Sequence, residues 1–402
     1  MSQDRALSPL LQQTLTEWLG LQGLPERDPA RFQALCRSVA DLSRLFTKDR
    51  ADMGRSYLDE EHLRAGYLAY FLPVNIAKVQ SLLDELPALE SGERPITVLD
   101  VGSGPGTGAL AALDWLQQQP GGRQRAIEVT AVDRSKPALR DAEQLWTAYM
   151  RPAHVQSATL VPLRVDLEKG RWLDELRGRR PEGFDLILAA NVLSEVGDGT
   201  RDAIERRTAL AEGLLGVLAP HGALIIVEPA LRSTSRSLHH VRDRLLAQRV
   251  CTVYSPCLHD HPCPALIKED DWCHEERSWT PPSIVSAIDR EVGFIKDALK
   301  FSYVILRKDG QTIVPRQPDM YRVVSELREM KGEKRAWLCN ETGRPEVGRL
   351  ERERSEANAA VDEWHRGAIV RIDQIVRKER KGRESTVGRI GKESTVEIVR
   401  PV

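Results

Sequence analysis

Residues 98–108 read Val98-Leu99-Asp100-Val101-Gly102-Ser103-Gly104-Pro105-Gly106-Thr107-Gly108 and run straight into Ala109-Leu110-Ala111-Ala112-Leu113. An apolar strand, a bend with glycine at every second position and a helix therefore follow one another without a gap. Glycines let a backbone turn sharply and approach a ligand with no Cβ in the way. A dinucleotide loop expects G-x-G-x-x-G and a pyrophosphate on the helix N-terminus. Here the third glycine comes one residue early, Asp100 stands two residues before the first, and the loop has no basic residue. An acid in that place repels phosphate and suits a cationic, phosphate-free ligand. The alternative is a tight turn that holds nothing.

Working outward, short β-branched runs alternate with helical stretches at Ile96 to Asp100, Ile127 to Asp133, Leu160 to Asp166, Phe184 to Ala190, Ala223 to Glu228 and Tyr303 to Arg307. Such alternation predicts an α/β fold with a mostly parallel, Rossmann-like sheet over residues 91–309. Residues 1–90 read as a helical N-terminal lobe, from Leu35, Val39, Leu42 and Leu45 at helical spacing and from Tyr67-Leu68-Ala69-Tyr70-Phe71-Leu72. Residues 250–280, with Pro256, Pro262, Pro264 and three cysteines, read as an insertion rather than a sheet element. Residues 310–402 predict a small β-rich domain, a barrel of the oligonucleotide-binding type, with strands near 321–325, 335–339, 368–375 and 396–399 and a helical stretch over 347–361. From Arg371 to Lys392 eight basic residues (371, 377, 378, 380, 381, 383, 389, 392) face three acids, a phosphate-tracking surface or an ordinary solvated face.

Composition excludes several classes. Lys+Arg 58 against Asp+Glu 59 leaves no global field, and a mean hydropathy of -0.38 with no long apolar run argues against a membrane span. The opening Met1-Ser2-Gln3-Asp4-Arg5 lacks the features of a secretory or organellar leader. Six cysteines are too few for a secreted disulfide scaffold, so the expectation is a cytoplasmic, bacterial chain with no membrane or DNA partner.

The pattern Asp100-x-Gly102-x-Gly104-x-Gly106 resembles the first motif of the class I S-adenosylmethionine-dependent methyltransferases, whose loop passes beside the methionine part of the cofactor. That resemblance implies that Asp133, at the end of the second strand, holds the ribose hydroxyls. It also implies that Asp166 meets the adenine amino group and that Asn191 lies where these enzymes face their substrate; strand-end acids and amides also serve as helix caps. The acceptor side is unmarked. Ala190-Asn191-Val192-Leu193-Ser194-Glu195 is not the Asn/Asp-Pro-Pro-aromatic segment of base-amine methylases, and no cysteine nucleophile occurs between Cys36 and Cys251. Glu195 and Glu228 are available carboxylates, read as structural, and the catalytic residue is unknown.

Cys257 and Cys263 have five residues between them, Cys273 follows after nine more, and Cys339 stands alone on an expected strand. Thiolates within a proline-rich loop suit zinc or an iron-sulfur cluster, against the alternative of reduced surface thiols. Zinc loops favour closer pairs; irregular spacing followed by proline is tolerated by a four-thiolate cluster. Four segments then carry a more specific likeness: Tyr254-Ser255-Pro256-Cys257-Leu258-His259-Asp260-His261-Pro262-Cys263-Pro264, Asp271-Trp272-Cys273-His274, Tyr67-Leu68-Ala69-Tyr70-Phe71-Leu72-Pro73 and the Asn191 segment. Over about residues 50 to 375 the chain resembles the Rsm-type mitochondrial small-ribosomal-subunit methyltransferase-like family and its bacterial relatives. The resemblance implies a four-iron, four-sulfur (4Fe-4S) cluster on Cys257, Cys263, Cys273 and Cys339, with zinc as the alternative. Cys36 and Cys251 have no counterpart and are expected to be plain thiols. It also implies S-adenosyl-L-methionine as cofactor, and the small ribosomal subunit and its rRNA as partners. The expected activity is rRNA methylation; the alternatives are a non-catalytic assembly factor that binds the same cofactor and a small-molecule methyltransferase.

Overall fold

The β-branched runs form the strands they predict. In the computed structural model, which describes residues 4–47, 57–88, 94–153, 157–295, 297–377, 379–380, 383–384 and 386–401, eight strands make one sheet. They are β1 (Ile96–Val101), β2 (Ile127–Asp133), β3 (Ala158–Arg164), β4 (Phe184–Ala190), β5 (Leu218–Pro229), β6 (Thr252–Ser255), β7 (Glu275–Ser278) and β8 (Ala298–Arg307). The order is β3-β2-β1-β4-β5-β8-β6, with β7 laid against β8. β1 to β5 pair in parallel, and β8 runs antiparallel to β5, β6 and β7. A reversed strand slotted beyond the fifth makes this the class I methyltransferase sheet, and β1 is buried at all six positions, as a central parallel strand must be.

Helices cover both faces: α1 (Pro9–Trp18), α2 (Leu24–Arg27), α3 (Pro29–Thr47), α4 (Glu61–Gly66), α5 (Leu72–Leu83), α6 (Thr107–Gln118), α7 (Lys136–Ala153), α8 (Trp172–Arg179), α9 (Ala203–Gly216), α10 (Arg232–Ala247) and α11 (Ser283–Val292). Alternate strand residues feed two cores. Val98, Leu188 and Ile225 pack with Leu11, Val39 and Ile76 of the N-terminal helices, whereas Leu99, Ile187 and Ile226 pack with Leu214, Val241 and Leu245 on the other face. The N-terminal lobe is therefore one wall of the sheet domain. A π-helical turn, Tyr67–Phe71, joins α4 to α5, the kind of irregularity that re-aims side chains at sites. No helix among the described residues is long and apolar enough to cross a membrane.

Two expectations need correction. The 250–280 segment is bounded by sheet strands, since Thr252-Val253-Tyr254 is a β-branched and aromatic run and β7 also pairs with β8; only the residues between β6 and β7 loop out. Within 347–361 no long helix forms. Glu346–Leu350 is strand β12, and Glu351–Glu353 and Ala359–Glu363 are single 3-10 turns.

The remaining strands are β9 (Met320–Val323), β10 (Arg328–Met330), β11 (Glu333–Cys339), β12, β13 (Ile369–Ile372), β14 (Glu379–Arg380), β15 (Arg383–Glu384), β16 (Val387–Ile390) and β17 (Val396–Arg400). β16, β12, β11, β9, β13 and β17 follow one another in a second sheet, with β10 laid against β11. β12 and β16 are parallel, and a Val376–Arg389 bridge brings the chain after β13 against β16. That bridge draws the two halves of the sheet together into the barrel-like domain that the sequence predicts. Of the basic run, Lys378 and Lys381 lie outside the described residues, as do the side chains of Arg380 and Arg383.

Buried charges join the three parts. Glu85, from the end of the N-terminal helices, accepts from Arg277 (2.6 Å) and from the Tyr303 hydroxyl (3.0 Å). Arg322 of β9 donates to Glu275 of β7 and, at 3.0 Å, to the Tyr303 hydroxyl. Burial alone would raise the Glu275 carboxyl; Arg277 and Arg322 outweigh it and hold the group below its ordinary value.

Candidate functional site

The glycine loop is built on its own acid. Asp100 is 1% exposed, and its Oδ2 accepts from Ser103 Oγ (2.6 Å) and the Ala109 N–H (2.8 Å), tying the bend to the first turn of α6. Burial pushes its carboxyl up to about 6, against the lowering effect of those bonds. Asp100 therefore lies beneath the loop and shapes it, while Gly102 and Gly104 face the cavity. Gly102 has φ +63° and a Cβ there would come within 2.3 Å of Val192 Cγ2; Gly104 has φ +52° and only Leu58 Cδ1, at 3.4 Å, near it. Gly106 (φ +91°) packs against Ala142, away from the opening.

Above the loop is a cavity of ≈ 360 Å³, within the usual range for small-molecule sites. The structure brings Gly102, Gly104, Asp133, Asp166 and Asn191 to its wall. Asp133 ends β2 and accepts from the Gly104 N–H (2.8 Å) and the Ser135 N–H (2.7 Å). Burial raises its carboxyl, the two N–H groups partly offsetting this, and each oxygen keeps a further lone pair for a ligand hydroxyl. Asp166 is half-open, lowered by its bond to Lys169, and accepts from the Glu168 N–H at 3.2 Å. Asn191 has φ +59°, a conformation asparagine tolerates better than most residues and one that marks functional turns.

The opposite wall comes from the N-terminal helices, to which the sequence reading gave no role. Phe46, Tyr57, Tyr67, Phe71, Asn75 and Lys78 line it. Phe46 meets Tyr57 and Phe71 edge-on, with ring centres 5.3 and 5.1 Å apart. The signal was the Tyr67–Pro73 motif followed by Asn75 and Lys78 one helical turn apart. At the end of β4, Glu195 receives the Tyr57 hydroxyl at 3.4 Å and lies 3.8 Å from Arg134, while Glu228 accepts from the buried Ser194 N–H at 3.2 Å. Both carboxylates have structural partners.

The four cysteines come into one neighbourhood, all as free thiols. Burial raises Cys263, Cys273 and Cys339, and Cys257 acts electrostatically on each of the three. Cys339, at the end of β11, lies 3.9 Å from His259 Nε2. Among the described residues no three His, Cys, Asp or Glu side chains are gathered closely enough to hold a metal ion. Cys36 and Cys251 stand apart as thiols pushed up by burial to about 11 and about 12.

One face of α10 holds the cysteine loop through its backbone. Arg236 donates to the carbonyls of Ala265 (3.1 Å), Lys268 (2.6 Å) and Asp271 (2.8 Å); His239 Nε2 lies 3.2 Å from the Cys273 carbonyl. Arg242, 1% exposed, donates to the carbonyls of His259 (2.6 Å) and His261, and Asp243 accepts from the Cys263 N–H at 2.9 Å. Positions 236, 239 and 242/243 fall on one stripe of the helix. That three-residue rhythm of charged and imidazole side chains was the sequence signal for this clamp.

No curated protein matches the chain. A TehB-like S-adenosylmethionine-dependent methyltransferase from Corynebacterium glutamicum is 15% identical, covering 58% of this chain and 87% of its own, with a TM-score of 0.30. A Listeria monocytogenes protein assigned to the class I S-adenosylmethionine-dependent methyltransferases is 13% identical, covering 77% and 89%, with a TM-score of 0.38. The human methyltransferase 10 domain containing protein is 10% identical, covering 59% and 82%, with a TM-score of 0.34. The family model described as mitochondrial small ribosomal subunit Rsm22 matches residues 62–353, well over half of the chain. The protein, a class I methyltransferase sheet carrying a cysteine loop and a small barrel, belongs to the Rsm22 family.

Proposed function

We propose that this chain binds S-adenosylmethionine in the cavity above β1, β2 and β4 and methylates RNA of the small ribosomal subunit in the bacterial cytoplasm. The observation that carries the reading is the glycine cradle joined to Asp133. Gly102 and Gly104 leave backbone open to the cavity, and a carboxylate with spare acceptor capacity stands at the ribose position. When bound, the donor supplies an electrophilic methyl group on a sulfonium sulfur. Asp133 accepts from the ribose hydroxyls, Asp166 meets the adenine amino group, and Asn191 orients the acceptor. The Rsm22 match supports a ribosomal partner. The barrel carries Arg328, Arg335 and Arg389 in one row across β10, β11 and β16, with Gly348 of β12 between the last two and each arginine ion-paired to Glu333 or Glu346, and Trp337 stands two residues beyond Arg335. Arginines beside an aromatic ring suit single-stranded RNA.

Cys257, Cys263, Cys273 and Cys339 are read as the four ligands of a 4Fe-4S cluster. Their thiols act electrostatically on one another, and irregular spacing in a proline-rich loop is tolerated by a four-thiolate cluster, with zinc the alternative. Two buried cations suit the net negative charge of such a cluster: Arg242 feels Cys257 and Cys263, and Arg344 feels Cys273 and Cys339. The cluster's role in this reading is to steady the junction of loop and barrel.

Tritium transfer from labelled S-adenosylmethionine to immature small-subunit particles tests the activity. Incorporation into RNA is expected. A second reading, a cofactor-binding assembly factor without turnover, is favoured by the engagement of Glu195 and Glu228, which leaves the acceptor side without an evident base. Particle binding and cofactor binding with no transfer would establish it instead.

A further inference from the structure

One short stretch, Tyr57 to Arg64, crosses the cavity from the N-terminal side and touches the ends of β2 and β4 and the glycine loop between them. It begins with the 3-10 turn Tyr57–Asp59 and ends in α4. The Tyr57 hydroxyl donates to Glu195 beyond β4 at 3.4 Å, and Leu58 Cδ1 stands against Gly104 of the glycine loop. Asp59 accepts from Ser135 Oγ, beyond β2, at 2.6 Å. Tyr57, Leu58, Gly104, Ser135 and Glu195 all line the cavity. The borders that the stretch meets are shut off from solvent: Asp133 is 9% exposed and Ser135 2%.

The fastening is polar and lies to one side. Arg64 donates from Nε to Asp141 of α7 at 2.8 Å and from Nη1 to the Leu58 carbonyl at 2.9 Å, so one guanidinium ties the turn and α4 to the sheet domain. Arg64, Asp59 and Asp141 are not among the described residues that line the cavity. A helix such as α5, buried along nearly all of its length, cannot leave without opening the core, whereas a turn held by an ion pair and hydroxyl bonds can lift locally. We propose that Tyr57–Arg64 is a strap that lifts for a ligand to enter or leave the cavity, with Arg64–Asp141 and Asp59–Ser135 as its latch. The ligand is the methyl donor or its demethylated product, and in that respect the proposal rests on the donor reading above. A latch made away from the ligand weighs equally on the empty and the filled cavity. Releasing it therefore speeds entry and exit alike and leaves affinity nearly unchanged, whereas loss of a ligand contact speeds exit alone.

Surface plasmon resonance with S-adenosylhomocysteine on the full-length protein reads both rates. Arg64→Met is expected to raise association and dissociation together by about tenfold, the loss of a charge-assisted pair, with Kd within about threefold of wild type. Arg64→Lys, which keeps a charge facing Asp141, is expected to fall between the two. Amide hydrogen exchange on the ligand-free protein is the independent arm: Arg64→Met should speed exchange over residues 57–64 and leave β1 at its wild-type rate. Unchanged rates, or faster dissociation alone with affinity lost in proportion, overturn the strap. So does unchanged exchange over 57–64. Faster exchange across β1 as well would make Arg64 a general prop of the fold, and it too overturns the latch. Wild-type protein with no saturable S-adenosylhomocysteine binding overturns the donor reading instead, and the exchange comparison still decides the strap.

Discussion

The glycine loop and the cysteine loop are both irregular segments that follow strands of one sheet, yet they are held in opposite ways. Residues 102–108 are supported from within, by Asp100 bonding Ser103 and Ala109 and by glycines at positive φ. The cysteine loop is supported from outside, by Arg236, His239, Arg242 and Asp243 on a single face of α10. A self-supported bend is ready for a ligand before any ligand arrives. A tethered loop brings three cysteines into the neighbourhood of Cys339 on β11, all as free thiols, and under the proposed function a cluster would complete it.

The sharpest way to break this contrast is Arg242→Ala. Removing a fully buried guanidinium strands the His259 and His261 carbonyls, and about 3–5 kcal/mol of stability should go with it. Urea unfolding should record that loss together with a loss of iron on anaerobic reconstitution. A variant as stable as wild type would mean that the loop does not depend on α10.

The glycine loop offers a pH test of the same size or slightly smaller. The folded Asp100 carboxyl, at about 6, lies above its ordinary value. Its favourable contribution is therefore complete below about pH 4 and fades as pH rises through 6, an effect of roughly 2–3 kcal/mol. Comparing urea midpoints between about pH 4.5 and pH 7, Asp100→Asn should remove that part of the slope; parallel profiles would contradict it.

A smaller, steric difference separates two neighbouring glycines. Gly102→Ala drives a methyl into Val192 and is expected to weaken S-adenosylhomocysteine by at least about 30-fold, whereas Gly104→Ala meets only the end of Leu58 and should cost about 5- to 10-fold. Equal effects would remove Val192 from the account.

The sequence carried these two regions unequally. Strand, acid, glycines and helix of the first motif are contiguous, so one reading captured the sheet's centre, and Asp133 followed from the next strand end. That Asp100 lies buried beneath the loop was not legible there, because burial is not written in a motif. The cysteines were visible, but the side chains that hold their loop lie up to 35 residues earlier, on a helix that reads as ordinary amphipathic structure. Likewise β6 and β7 were hidden by the prolines between them, and the 347–361 stretch looked helical because charged residues and alanines favour helix locally, while the pairing of β12 with β11 and β16 decided otherwise.

The least effect is expected where the two regions are independent. Cys273→Ser should abolish iron binding yet change S-adenosylhomocysteine affinity by less than about twofold, since no described bond joins the cysteine loop to the glycine loop. A large drop would show that the tethered region props up the self-supported one.

The most direct measurement of the central claim is calorimetric titration of wild-type, metallated protein with S-adenosylmethionine and with S-adenosylhomocysteine. The account predicts saturable one-to-one binding of both, weakened roughly tenfold by Asp133→Asn. Absence of saturable heat with either ligand would contradict it.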